Sequence, residues 1–114
     1  MGRQPKGGGA PDDVLRRAGD ASVLILTSLA EGPKHGYALI LDVKAFSGVR
    51  LGPGTLYGAL DRLERSGLVE ALPNEDRRHP YRITPEGARA LAAHLGSLER
   101  VSRVGRLRLG LAEA

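Results

Sequence analysis

Three consecutive helical repeats of apolar residues, two short extended runs around a turn, and a last, long helical repeat predict a mostly α domain with a small β-hairpin. The expected order is α-α-α-β-β-α. Apolar spacing indicates the helices, the turn composition Pro73-Asn74-Glu75-Asp76 indicates the hairpin, and proline, glycine and threonine mark the element ends.

At 114 residues the chain has room for one such domain and not for two ordinary ones. Residues 1–11 are Gly-rich and read as a flexible tail. Residues 12–30 read as the first helix: Asp12 and Asp13 suit the positive end of the helix dipole, and Leu15, Ala18, Ser22, Ile25 and Leu29 keep an i, i+3, i+4 spacing. From Val23 to Leu29 apolar residues occupy more than one face, so this helix is expected to bury one side in its own domain and another against a second subunit. Gly32 and Pro33 end it.

A second helix over Gly36 to Phe46 carries Leu39, Ile40, Val43 and Phe46. The third runs from Pro53, which fits the first helical position, to about Ser66, with Gly67 as its stop; Leu56, Leu60 and Leu63 form its apolar stripe. Leu68 to Leu72 and Arg77 to Ile83 are the two extended runs. Pro80 has no N–H to donate, so the second strand must be an edge there or begin late. Two strands alone are unstable and must lie on the helices. Thr84-Pro85-Glu86 restarts a helix as N-cap, first residue and dipole partner. Leu91, Leu95, Leu98, Val101, Val104 and Leu107 then carry an apolar row to about Leu109, some ~35 Å of helix. That exceeds what so small a domain covers from its own side. Residues 12–84 are therefore expected to form a winged helix-turn-helix and 85–114 a dimerisation helix packing with helix 12–30.

Composition narrows the function. Hydrophobic content of 41% and charged content of 26% are ordinary for a soluble protein. The absence of cysteine excludes disulfides and thiolate chemistry. No apolar run approaches the ~20 residues that span a bilayer, and the N-terminus has no secretion-signal core, so a cytoplasmic protein without a membrane partner is expected. His35, His79 and His94 are scattered, without neighbours at metal-ligand spacing, and there is no set of nucleophile, base and orienting group. Neither an enzyme nor a cofactor is expected. A net charge of +4 favours polyanionic partners.

The third helix supplies the functional clue. Opposite its apolar stripe, its leading end carries Gly54, Thr55 and Tyr57, with Gly58 one turn later. A small, polar leading end lets the backbone approach another polymer closely, as a helix entering a DNA major groove must. Thr55 and Tyr57 can donate to phosphate or base, although Tyr57 packed on the hairpin is the competing reading. Lys34, His35 and Tyr37 stand where the second helix begins, where free amides and the dipole attract phosphate; a ligand-free turn at His35 and a half-buried Tyr37 are the alternatives. Arg77 and Arg78 lie on the hairpin turn, placed to follow a phosphate backbone, against a merely solubilising turn with Glu75 and Asp76. Arg62 joins the candidates, whereas Asp61 and Arg65 form an i, i+4 pair that solvates the helix. Arg100, Arg103 and Arg106 read as a solvated face.

Several of these blocks together resemble the PadR family of bacterial transcriptional regulators, in its short-armed branch. The similarity is carried by Leu26-Thr27-Ser28-Leu29, His35-Gly36-Tyr37, Pro53-Gly54-Thr55-Leu56-Tyr57 with Leu60 and Arg62-Leu63-Glu64, then Gly67-Leu68-Val69-Glu70, Tyr81-Arg82-Ile83-Thr84 and Gly87, covering about Val23 to Leu95. The resemblance implies a dimeric winged-helix repressor whose first and last helices form the dimer contact, where some members hold an aromatic or drug-like effector. Relatives usually carry adjacent aromatics after the basic pair of the wing; here His79-Pro80-Tyr81 stands instead. The chain has no tryptophan and one phenylalanine, so an effector sandwiched between tryptophans is not expected.

The function expected from sequence is thus operator binding in double-stranded DNA by a homodimer, with a small aromatic or apolar effector as a further possible partner. DNA contacts are assigned to Lys34, His35, Tyr37, Gly54, Thr55, Tyr57, Gly58, Arg62, Arg77 and Arg78. Dimer contacts are assigned to Leu15, Ile25, Leu29, Leu91, Leu95, Leu98, Val101, Val104 and Leu107. The alternative is a winged-helix protein-interaction module without a DNA partner, since a fold does not fix a function.

Overall fold

The computed structural model describes residues 21–73 and 79–111. The tail over 1–11, the first part of the first expected helix with Leu15, and the wing-turn arginines Arg77 and Arg78 lie outside the described residues. Helix α1 spans Ala21–Leu29, α2 Gly36–Ser47 and α3 Pro53–Arg65; strands β1 (Val69–Ala71) and β2 (Tyr81–Ile83) follow, and α4 spans Pro85–Arg108. This is the expected α-α-α-β-β-α order.

The ends form as their residues dictate. Gly48 closes α2 in the left-handed region at φ 78°, its N–H donating to Lys44 O. Thr84 caps α4, its hydroxyl accepting from Gly87 N at 3.0 Å. Around α1, which packs on α2, α3, α4 and β2, the core gathers Ile25, Leu29, Leu39, Val43, Leu56, Leu60 and Val69, each at most 1% exposed.

The strands pair antiparallel, with Val69 opposite Ile83, Glu70 opposite Arg82 and Ala71 opposite Tyr81. Pro80 behaves as its chemistry requires: β2 begins after it, and it contributes only its carbonyl, which accepts from Leu72 N at 2.8 Å. Sequence reading missed a third partner. Lys34 and Tyr81 exchange two backbone hydrogen bonds, of 3.1 and 2.9 Å, so the α1–α2 connection lies along the far side of β2.

Three dimer assignments are corrected here. Ile25 and Leu29 are 0% and 1% exposed within the single chain, so neither lies on a face open to a partner; α2, α3 and α4 cover that side of α1, while Val23 and Leu24 are half-buried. Leu91 is likewise taken up by the chain's own core, at 7% exposure. The rest of the α4 row stays uncovered: Leu95, Leu98, Val101, Val104 and Leu107 are 40–69% exposed.

Candidate nucleic-acid interface

The leading ends of α2 and α3 differ from that of α4. His35 and Gly52 are their N-caps, both in extended conformation, and neither helix receives a side-chain cap hydrogen bond. The first-turn amides of α2 and α3 therefore keep their donors, which a phosphate can accept. Pro53 opens α3 at no cost, having no N–H to satisfy.

Leu56, Ala59, Leu60 and Leu63 seat α3 in the core, and Gly54, Thr55, Tyr57, Gly58 and Arg62 are on its exposed side. The glycines separate into two kinds. A Cβ at Gly52 or Gly54 would meet nothing within 4 Å, and one at Gly58 only the Arg62 guanidinium at 3.9 Å. None of the three has positive φ. Neither packing within the chain nor backbone conformation asks for glycine there, although glycine inside a helix costs up to about 1 kcal/mol against alanine. Gly36 and Gly87, by contrast, are each overlaid by neighbouring atoms of the chain.

The polar candidates are placed unequally. His35 is exposed, and Tyr37 is 68% exposed on the first turn of α2, so it is not half core. Lys34 is a correction. Its side chain is only 13% exposed, and its ammonium donates to Ser28 O at 2.5 Å, lies 2.7 Å from Glu31 Oε2 and 3.8 Å from Asp42 Oδ2. Asp42 in turn accepts from the buried Ser28 hydroxyl at 2.6 Å. This cation ties the end of α1 to α2 rather than facing a partner.

Arg62 has no ion pair among the described residues, whereas Arg65 pairs with Asp61 at 3.0 Å, as its spacing predicts. Arg50 is absent from the contacts assigned from sequence. It is exposed and unpaired among the described residues, in the α2–α3 connection just before Gly52. Its place two positions before the cap of α3 was the signal available. On the wing, Arg82 pairs with Glu70 across the strands, Nε donating at 2.8 Å. Tyr57, finally, is 51% exposed yet leans on Gly36 at the start of α2.

Known proteins resemble this chain in sequence and fold. Over 86 residues the chain is 46% identical to an uncharacterised 37.1 kDa protein in transposon TN4556 of Streptomyces fradiae, a match covering 75% of this chain and 25% of that protein. The chain thus spans about a quarter of that relative's length. Over 82 residues it is 37% identical to the transcriptional regulator Rv3488 of Mycobacterium tuberculosis, covering 69% of this chain and 76% of the relative. A crystal structure of a PadR family transcription regulator from Clostridium difficile superposes with a TM-score of 0.72 at 28% identity, covering 80% of this chain and 99% of the other. With the family model matching residues 25–93, the chain belongs to the PadR-like family of transcriptional regulators.

Proposed function

We propose that the chain acts as a homodimeric repressor that binds an inverted-repeat operator in double-stranded DNA. Each subunit would place the leading end of α3 in a major groove and its hairpin alongside, with half-sites about one helical turn apart. The observation that supports this best is the glycine pair of α3: Gly54 and Gly58, bare on its exposed side, beside two uncapped helix starts. A surface kept low without internal need suits a close external approach.

In this reading Thr55 reads base edges, His35, Tyr37, Arg50 and Arg62 hold phosphates, and Arg77 and Arg78 extend the contact from the wing. Leu95, Leu98, Val101, Val104 and Leu107 are covered by a second copy. Steps of three residues fall about 60° short of a full turn, so this row winds around α4, and a partner must wrap it rather than face it. An apolar or aromatic effector would enter at the same contact, where Ala30, Ile83, Leu91 and Leu95 line a cleft of about 190 Å³.

The test is a fluorescence-anisotropy titration of DNA from immediately upstream of the chain's own gene against a random duplex at physiological salt. Operator binding requires a preference of roughly a thousandfold or more. Equal, weak binding to both would leave a non-specific factor, and no binding would favour a protein-interaction module. Expression from the same upstream DNA fused to a reporter, with and without the protein, separates repression from activation.

A further inference from the structure

Gly36 opens α2 directly beneath the Tyr57 side chain of α3. A Cβ at position 36 would overlap the Tyr57 hydroxyl, stand 2.9 Å from the ring carbon Cζ and come within 3.3 Å of Leu56 Cδ2. Gly36 has no positive φ, so what the position provides is an absent side chain rather than backbone freedom. The Tyr57 hydroxyl has no hydrogen-bond partner among the described residues, so the tip of the phenol, hydroxyl and Cζ, meets the Gly36 backbone by packing alone.

The third element at this point is the wing. Burial raises the Tyr81 phenol above its ordinary range, with smaller contributions from Glu64, Tyr57 and Asp61. Tyr81 also holds Lys34 through two backbone hydrogen bonds, just ahead of Gly36. The start of α2 therefore meets the leading turn of α3 through Gly36 and strand β2 through the neighbouring Lys34. These are the three elements of the candidate interface.

We infer that Tyr57 is a positioning residue for DNA recognition: the tip of its phenol, seated on Gly36, fixes the angle of α3 to the start of α2, and with it the register in which α3 meets the groove. The inference rests on the operator-binding reading. It differs from a phosphate contact through the hydroxyl in what each substitution does. A phosphate contact serves any duplex equally, whereas a misplaced recognition helix loses the preferred one.

The full-length chain and the variants Gly36→Ala, Tyr57→Leu, Tyr57→Phe and Gly36→Ala/Tyr57→Leu are titrated with preferred and random duplexes, and circular dichroism checks that each is folded. Gly36→Ala and Tyr57→Leu should each lower the preferred-to-random ratio by about tenfold or more, with random binding changed less than about twofold. Tyr57→Phe should keep the ratio. The double variant should be no worse than Tyr57→Leu, since both changes act on one contact. The inference is overturned if Tyr57→Phe weakens both duplexes alike, or if Tyr57→Leu leaves the ratio intact. Should Gly36→Ala fail to fold, the two Tyr57 variants still decide, as they leave Gly36 in place. Failure of the operator-binding reading appears separately, as a wild-type chain without preference.

Discussion

Gly87 of α4 lies against the carbonyl of Leu68, the residue that leads into β1. A Cβ at position 87 would overlap Leu68 O, stand 3.0 Å from its carbonyl carbon and 2.9 Å from Ile83 Cγ1. The same carbonyl accepts from Thr84 N at 3.0 Å, so backbone cannot withdraw without breaking that bond. Glycine here lets α4 start flush on the hairpin.

Gly87→Ala should therefore destabilise the chain by about 1–3 kcal/mol or more, the scale of overpacking a well-filled site. Thermal unfolding at fixed protein concentration checks this, with an expected fall in Tm of at least about 4 °C. An unchanged Tm would mean that the hairpin yields easily and that α4 is not held by it.

Lys34 gives a prediction of opposite kind to the one its charge suggests. Lys34→Met removes the ammonium that joins Ser28 O to Glu31 and Asp42. Loss of a charged hydrogen bond from a nearly covered site should cost about 1–3 kcal/mol in urea unfolding. The salt dependence of DNA binding should stay as in the wild type, because Lys34 neutralises no phosphate. A slope lower by about 1 would return Lys34 to the interface.

The contrast shows what the sequence carries and what it leaves out. The cap at Thr84, Pro53 at the head of α3, the late start of β2 after Pro80 and the Asp61–Arg65 pair depend on neighbours a few residues away, and all were legible. The destination of the Lys34 ammonium depends on how α2 brings Asp42 back over Ser28. The place of the Tyr57 ring depends on the bare backbone of Gly36. Such meetings need the folded chain, and for Lys34 residue type alone favoured the phosphate reading. Ile25 and Leu29 were misassigned for a related reason: an all-round apolar helix signals complete burial, but not whether one chain or two provides the cover.

That ambiguity can be resolved by comparing two sites. Ile25→Ala should leave a cavity in the chain's own core and cost about 2–5 kcal/mol. Leu98→Asp or Val101→Asp, on the uncovered row of α4, should leave the fold and far-ultraviolet circular dichroism unchanged while shifting the chain to monomers in analytical ultracentrifugation. Operator affinity should fall with the dimer, since each half-site then binds alone. A persistent dimer in both variants would place the subunit contact elsewhere.

Arg77 and Arg78 belong to the part of the proposal that rests on sequence alone. If each neutralises one phosphate, Arg77→Ala/Arg78→Ala should lower the slope of log K against log salt by ~2, with weaker binding to preferred and random duplexes alike. A slope equal to that of the wild type would remove the wing turn from the interface.

The sharpest prediction concerns Gly58. In the interior of α3, on the exposed side, a Cβ there would meet only the mobile end of Arg62 at 3.9 Å. Gly58→Ala should therefore stabilise the chain by about 0.5–1 kcal/mol, through improved helix propensity and a less free unfolded chain. The same methyl group would stand between α3 and an approaching groove, so operator affinity should fall by roughly tenfold or more, the effect of losing one good base contact. Gly54→Ala, nearer the helix start where propensity counts less, should bring a smaller gain in stability with a similar loss of binding. A more stable protein that binds DNA less well separates a recognition surface from an ordinary helix face, on which alanine would help stability and leave binding untouched. Urea unfolding and anisotropy on the same preparations measure both quantities, and a stabilised Gly58→Ala variant with full operator affinity would take α3 out of the groove.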